Sequence, residues 1–417
     1  MSAKRSASAI PGSSSGRIKN SDVPRGFSYS SFACGLKKSG LDLGLVVSEV
    51  PATAAAVFTT NRVKAAPVIT SQLHLRKSRT EMRGVIVNSG NANCCTGSEG
   101  FTAATATTLK VARELGKIRP TQILVCSTGV IGAPLRWQKI VNAVPKLVRA
   151  RGGNARAFTE FTRAIMTTDS RPKSAFAKYR ANGKEIRLLG CTKGAGMIQP
   201  NMATMLAFLT TDAAVSPAWL SRALRDVVTR TFNSITVDGD TSTNDTVTLL
   251  ANGESGAAKI TRDGAAYKSF CTALEEVCKS LALQIVADGE GAQRVVEIEV
   301  RGAASDRAAT QIARTIANSP LVKTAFAGAD PNWGRIIAAA GRSGVVVDPL
   351  RVDIRLAGVT VCRHGGEHPF DERMTHQKML ASFVPVIVDL HSGRGTSRVW
   401  TCDFTTEYVH INASYRT

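Results

Sequence analysis

The chain has 417 residues, is 43% hydrophobic and carries 53 Lys and Arg against 32 Asp and Glu, a formal charge of +21. That composition belongs to a globular protein with a large core, arranged as one big domain or two to three smaller ones. No run reaches the roughly 18 uninterrupted apolar residues of a membrane helix, so no membrane association is expected. The positive charge would attract nucleic acid or acidic small molecules. Its lysines and arginines are dispersed, and aromatics make up only 6%, which leaves little to stack on bases and favours the small molecule.

Residues 1–30 are Ser- and Gly-rich and read as a mobile lead-in, with a weak likeness to an organellar presequence. Sparse arginine and the lack of an amphipathic helix favour the plain tail and a cytoplasmic protein. Gly84–Asn88 and Thr121–Cys126 read as buried strands. Phe101–Leu115 has helical character, with Gly116 as its stop. Ser216 and Pro217 open a helix running to about Phe232, with Ser216 as N-cap. Ala265–Ile285 predicts a long amphipathic helix whose apolar face includes Phe270, Leu274, Val277 and Leu281. Strands follow at Val295–Val300, Gly344–Val347, Arg351–Arg355 and Val384–Asp389. The interleaving predicts an α+β fold of layered sheets and helices.

Nine scattered cysteines without a Cys-x-x-Cys pattern fit free thiols in a reducing compartment. His364-Gly-Gly-Glu-His368 has histidines at i and i+4, but the two glycines between them disfavour a zinc-binding helix, and no metal is expected. Gly194-x-Gly196 lacks both a third glycine and a preceding dinucleotide-type βα unit. Six segments are too polar and too glycine-rich for their apolar surroundings: Asn88–Asn93, Ser127–Gly132, Lys193–Thr204, Asp238–Asp245, Asp288–Gly291 and Gly328–Arg335.

The run Lys193-Gly-Ala-Gly-Met-Ile-Gln-Pro-Asn-Met-Ala-Thr204-Met-Leu is the most specific of these. A loosened loop delivers a small residue, Ala203, then the hydroxyl of Thr204, then an apolar run from Met205 to Leu209. This suits a chain that cuts itself before Thr204 and uses the released α-amine as base for the Thr204 hydroxyl. Such an amine titrates at about 7.7–8.0, leaving a useful neutral fraction near neutral pH. Ser127–Gly132 follows a strand, and its Thr128 hydroxyl and loop amides could face a developing oxyanion.

These motifs resemble the ornithine acetyltransferase (glutamate N-acetyltransferase) family of arginine biosynthesis. The likeness extends from Pro24-Arg-Gly-Phe27 to Asn412-Ala-Ser-Tyr-Arg-Thr417 and takes in Met166-Thr-Thr-Asp169, Asp288-Gly-Glu-Gly-Ala292 and Asp330-Pro-Asn-Trp-Gly-Arg335. Departures are mild, with Ala195 where serine is common and Gln199 where histidine is common. The resemblance implies a layered α/β sandwich of the self-processing ornithine acetyltransferase or aminopeptidase type. It implies cleavage between Ala203 and Thr204 into segments 31–203 and 204–417 of one intertwined catalytic fold. Thr204 would be the nucleophile, and Thr128 and Gly129 the oxyanion hole. Thr167, Lys193, Thr204, Glu290, Asn412 and Thr417 would contact the substrates. The reaction implied is ping-pong acetyl transfer from N-acetylornithine to glutamate, with no cofactor and with acetyl-CoA left open as a second donor. Two copies of each segment would associate. An amidohydrolase or aminopeptidase on the same scaffold and a basic nucleic-acid-binding protein are the competing expectations.

Overall fold

A computed structural model describes residues 17–181, 183–199 and 205–414, and within them the chain divides into two units. One is built from residues 17–233 and 240–285, the other from 234–239 and 286–414.

The strands of the first unit are β1 (Phe27–Phe32), β2 (Leu43–Phe58), β3 (Met82–Asn91), β4 (Ile123–Val130), β5 (Lys173–Ala181), β6 (Lys184–Lys193), β7 (Leu206–Thr211) and β8 (Thr246–Ala251). Its helices are α1 (Ala66–Ser78), α2 (Gly97–Leu115), α3 (Trp137–Arg149), α4 (Ala155–Ala164), α5 (Pro217–Arg230) and α6 (Ala265–Ala287). The strands follow the order β4-β3-β2-β8-β7-β6-β5, with β1 also on β2. The long β2 serves two half-sheets. Its first part pairs with β1 and β3, and its second, from Thr53, pairs with β8. The β2–β3 register breaks between Val47 and Ala52, where Pro51 has no N–H to give a ladder.

Strand alternation then sorts the side chains. Val46, Val85, Val87, Leu124 and Cys126 from one half-sheet share a core with Leu189, Cys191, Leu206, Phe208 and Leu250 from the other. The intervening residues Ile86, Ile123 and Val125 turn outward onto Ala104 and Val111 of α2 and Ile140, Val144 and Leu147 of α3. On the reverse of the other half-sheet, β6 lies close against Val277 and Leu281 of α6. The layers are thus helix, sheet, sheet, helix, as period-2 strands and period-3.6 helices require when each buries one face. Between the sheets the Tyr29 hydroxyl meets Thr210 Oγ1 at 2.7 Å, and the Phe161 and Phe208 rings meet edge-on at 5.4 Å.

The second unit has strands β9 (Val295–Ala303), β10 (Asp353–Leu356), β11 (Val359–Arg363), β12 (Gly366–Glu367), β13 (Phe383–Asp389) and β14 (Gly395–Cys402), in the order β12-β11-β10-β13-β9-β14. Helices α7 (Asp306–Ala317), α8 (Pro320–Ala327), α9 (Trp333–Gly341), α10 (Glu372–Met379) and α11 (Thr406–Ser414) accompany them. Val296, Ile298 and Val300 of β9 join the apolar core with Ile312 and Ile316 of α7. The alternate residue Glu299 pairs with Arg301 at 2.7 Å and Arg398 at 3.1 Å. Among the described residues no helix is long and apolar enough to cross a membrane, and all nine cysteines are free.

The α+β layering matches expectation, and several local readings change. Gly344–Val347 is not a strand: Val345 and Val347 rest on the core, but Val346 is 97% exposed and the segment pairs with nothing in the sheet. Pro120 sets a short 3₁₀ turn before β4, and Pro349 another before β10, so both strands start later than predicted. Ser216 stands at the N-cap of α5, but its side chain makes no capping bond. Residues 17–30 of the expected mobile segment are packed, with Ile18, Val23, Phe27 and Tyr29 buried. The apolar side chains among them reach the inter-sheet core.

Candidate active site

Four of the polar segments converge in the first unit, at the carboxyl ends of β3, β4 and β6 and the amino ends of β7 and β8. Ser127 Oγ donates to Asn88 Oδ1 at 2.6 Å, and Asn88 Nδ2 donates to the Asn91 carbonyl at 2.9 Å. Asn244, just before β8, donates from Nδ2 to the carbonyls of Ala92 (2.7 Å) and Ser127 (2.9 Å). These amides tie down loops whose backbone groups would otherwise lie buried and unsatisfied.

Thr128 and Gly129 lie on the tied loop. Gly129 has φ +131°, and a Cβ there would stand 2.3 Å from the Gly90 carbonyl carbon, so only glycine fits where β3 and β4 close together. Lys193, the last residue of β6 and 3% exposed, points its ammonium at Thr128 and donates to Oγ1 at 3.3 Å. Thr128 and Lys193 are 65 residues apart in sequence, and the sheet alone makes them neighbours.

Asp169 organises the other side of Lys193. One carboxylate oxygen accepts from Lys173 Nζ at 2.6 Å and from the Gly194 N–H at 2.7 Å, and the other accepts from the Thr167 N–H at 2.9 Å. The Lys173 and Asp169 side chains are wholly buried. Burial acts to raise the Asp169 carboxyl, but the Lys193 and Lys173 ammonium groups and the Gly194 N–H outweigh it and hold it at about 2. Asp245 has the opposite balance. It is 1% exposed and accepts the Met205 N–H at 2.9 Å. Burial pushes its carboxyl well above the usual range, against the opposing pulls of the Met205 N–H and Lys193. Lys173 and the Gly194 N–H thus hold the Asp169 carboxylate, while Lys193 brings positive charge to Thr128, an arrangement suited to a substrate carboxylate or an oxyanion.

Glu290 and Asn412 meet within the second unit: Asn412 Nδ2 donates to Glu290 Oε2 at 2.8 Å and to the Tyr408 carbonyl at 3.0 Å. Glu290 is buried and Asn412 exposed. Ala203, Thr204 and Thr417 lie outside the described residues. Gly328–Arg335 has a structural task, since Asn332 caps α9 by accepting the Arg335 N–H. Within His364–His368, His364 and Gly365 make the tight turn between β11 and β12, and among the described residues no three metal-ligating side chains gather.

A sequence profile of the ArgJ family matches residues 28–417. The chain belongs to the ArgJ family. The arginine biosynthesis bifunctional protein ArgJ of Thermotoga neapolitana is 47% identical over 399 residues, covering 95% of this chain and 100% of its own. That of Geobacter sulfurreducens is 47% identical over 396 residues, covering 94% and 99%. Among solved structures, the Bacillus halodurans ArgJ protein is 44% identical and covers 50% of this chain and 98% of that one, with a TM-score of 0.49. As a member of the ArgJ family, this chain is an enzyme of arginine biosynthesis, an acetyltransferase.

Within this ArgJ-family site, Asp169, Lys173, Asn244 and Asp245 carry no role in the sequence reading. Asn244 and Asp245 do fall inside a segment singled out there for polarity, and Asp169 closes the motif Met166–Asp169. What marks the two aspartates is burial, and a buried aspartate looks the same in sequence as one at an exposed turn.

Proposed function

We propose that this enzyme moves the acetyl group of N-acetylornithine to glutamate through an acetyl-Thr204 intermediate. The observation that carries this reading is the Lys193–Thr128 contact. It sets a buried cation beside the proposed oxyanion donors Thr128 and Gly129, at the end of the sheet where β7 resumes just after residue 204.

In the uncut chain the Thr204 hydroxyl adds to the Ala203 carbonyl carbon and the amide nitrogen leaves. The resulting ester is hydrolysed by water, giving an Ala203 carboxylate and a free Thr204 amine. In the cut enzyme that amine takes the hydroxyl proton as Thr204 attacks the acetyl carbon of N-acetylornithine. The Thr128 hydroxyl and Gly129 N–H receive the oxyanion, and Lys193 adds positive charge beside it. Ornithine departs with the proton, glutamate enters, and its amine takes the acetyl group. Thr167, Lys193, Glu290, Asn412 and Thr417 are the further residues assigned to substrate binding, with Lys193 meeting the substrate α-carboxylate. The relatives bear the name bifunctional, which favours acetyl-CoA as a second donor to glutamate.

Intact-mass analysis with N-terminal sequencing tests the cleavage: Thr204 should be a free N-terminus. T204A should run as one band near 44.2 kDa and transfer no acetyl group; two fragments from T204A would place the scissile bond elsewhere. Acetate release from N-acetylornithine without glutamate at the transfer rate would mark a hydrolase instead. Acetyl-CoA with glutamate alone tests the second donor. We further propose a particle holding two copies of each segment, which light scattering coupled to gel filtration would measure.

A further inference from the structure

Lys37 has no part in the reaction above, yet it reaches the site from the connection between β1 and β2. The buried Asp42 carboxylate gathers that connection, accepting the N–H groups of Cys34 at 2.7 Å, Leu36 at 2.7 Å and Lys37 at 3.1 Å. With its backbone pinned, the half-buried Lys37 side chain runs past Gly90 near the end of β3. A Cβ on Gly90 would stand 2.8 Å from Lys37 Cγ, and this glycine has φ +97°. Gly90 is also the residue against which Gly129 closes. The Lys37 ammonium then donates to the Met166 carbonyl at 3.1 Å, across 129 residues of sequence. That carbonyl and the Thr167 N–H are the two edges of one peptide plane. Lys37 holds the first, and Asp169 Oδ2 accepts the second at 2.9 Å. Two charged side chains therefore grip opposite edges of the link that carries Thr167. Ser89 of β3 anchors the approach to this turn, donating from Oγ to the Ala164 carbonyl at 2.6 Å. Burial lowers the Lys37 ammonium from its ordinary value, and Asp42 and Asp169 pull the other way, so the same aspartate acts on both lysine and turn.

We propose that Lys37 is a positioning residue for substrate binding: by fixing the Met166–Thr167 peptide beside the end of β3, it sets the direction in which Thr167 meets the substrate. A plane held by Asp169 alone can swing about the Thr167 N–H, and the ammonium on its other edge removes that freedom. Lys37 acts through Thr167 and takes no part in the acyl transfer itself. This inference rests on the assignment of Thr167 to substrate binding.

K37M keeps the apolar stem beside Gly90 and removes the donors, and K37R restores a donor of the same charge. Both are compared with the unmodified enzyme, with T167V and with the double variant, all fully cut and checked for folding by far-ultraviolet circular dichroism. In K37M the KM for N-acetylornithine should rise about tenfold with kcat within about threefold, the pattern of lost substrate binding. K37R should bring KM back to within about threefold of the unmodified value. The double variant should bind about as poorly as T167V alone, because one residue acts through the other. K37M with KM within about twofold of the unmodified enzyme, K37R as impaired as K37M, or effects that multiply in the double variant would each overturn the positioning role while leaving Thr167 in place. T167V with an unchanged KM would instead remove Thr167 from substrate binding, and this inference with it. If K37M does not fold, K37Q, whose side chain is one bond shorter, decides by the same criteria.

Discussion

Lys193 and Asp169 illustrate how one contact can serve both folding and chemistry. The Asp169 carboxyl is held at about 2, below its ordinary value of 3.8, so the stability it contributes is fully present above that value and disappears as pH falls toward 2. The shift corresponds to about 2 kcal/mol. D169N removes this acid-sensitive contribution and leaves the Lys173 ammonium buried without the carboxylate it pairs with, at a cost of about 3 kcal/mol. Urea unfolding near neutral pH should show that loss, and the variant's stability should fall less steeply than the parent's on acidification. A parallel acid dependence would mean that Asp169 is not held as described. K193M should act differently. It removes the charge beside Thr128 and should lower kcat/KM by about a hundredfold, the scale of losing one oxyanion-stabilising group, while circular dichroism stays unchanged.

At the scale of elements, the half-sheet order β2-β8-β7-β6-β5 has a consequence for a chain cut before residue 204. Strands β8 and β7 come from the later segment, and each is flanked by a strand of the earlier one: β2 pairs with β8, and β6 with β7. Neither presents an edge through which the segments could peel apart, and both contribute to the inter-sheet core. Segments 1–203 and 204–417 should therefore co-elute on gel filtration and separate only in denaturant; separation in native buffer would contradict this strand order. The β3–β4 closure is equally exacting. A methyl group at Gly129 meets backbone rather than a movable side chain, so G129A should destabilise by about 1–3 kcal/mol and displace the loop carrying Thr128.

At the scale of the whole molecule, the +21 charge gives the enzyme a positive field that would draw in glutamate, the acidic substrate proposed for it. Such steering is screened by salt, with a Debye length of about 10 Å at 0.1 M. Raising ionic strength from low to physiological should lower kcat/KM for glutamate about two- to fivefold, leaving kcat nearly constant; a salt-independent kcat/KM would show that the field does not assist capture. The division into two units was not visible in the sequence, whose length and composition allowed one big domain or two to three smaller ones. The units part inside α6, between Ile285 and Val286, at the residue where the predicted helix ended and two residues before the helix does. The apolar pattern of that helix continues through the point and gives no local sign of it.

Several features were legible from residues alone because their signals are local. Apolar alternation marked β9 and β13, the 3.6-residue spacing marked α6, and Gly116, at φ +72°, ends α2 as expected. The motifs from Asn88 to Asp330 identified the family without any geometry, since their combination is specific even where each one is ordinary. The misreading of Gly344–Val347 has the same origin in reverse: its residues are strand-like, but a strand needs a partner and this segment finds none. Only the tertiary structure decided which polar residues act together. Lys193 reaches Thr128, and Asp245 reaches Met205, across strands far apart in sequence. It also shifted Asp169 and Asp245, both buried, in opposite directions. Their charge depends on burial weighed against nearby ammonium groups, and neither quantity exists until the sheets close.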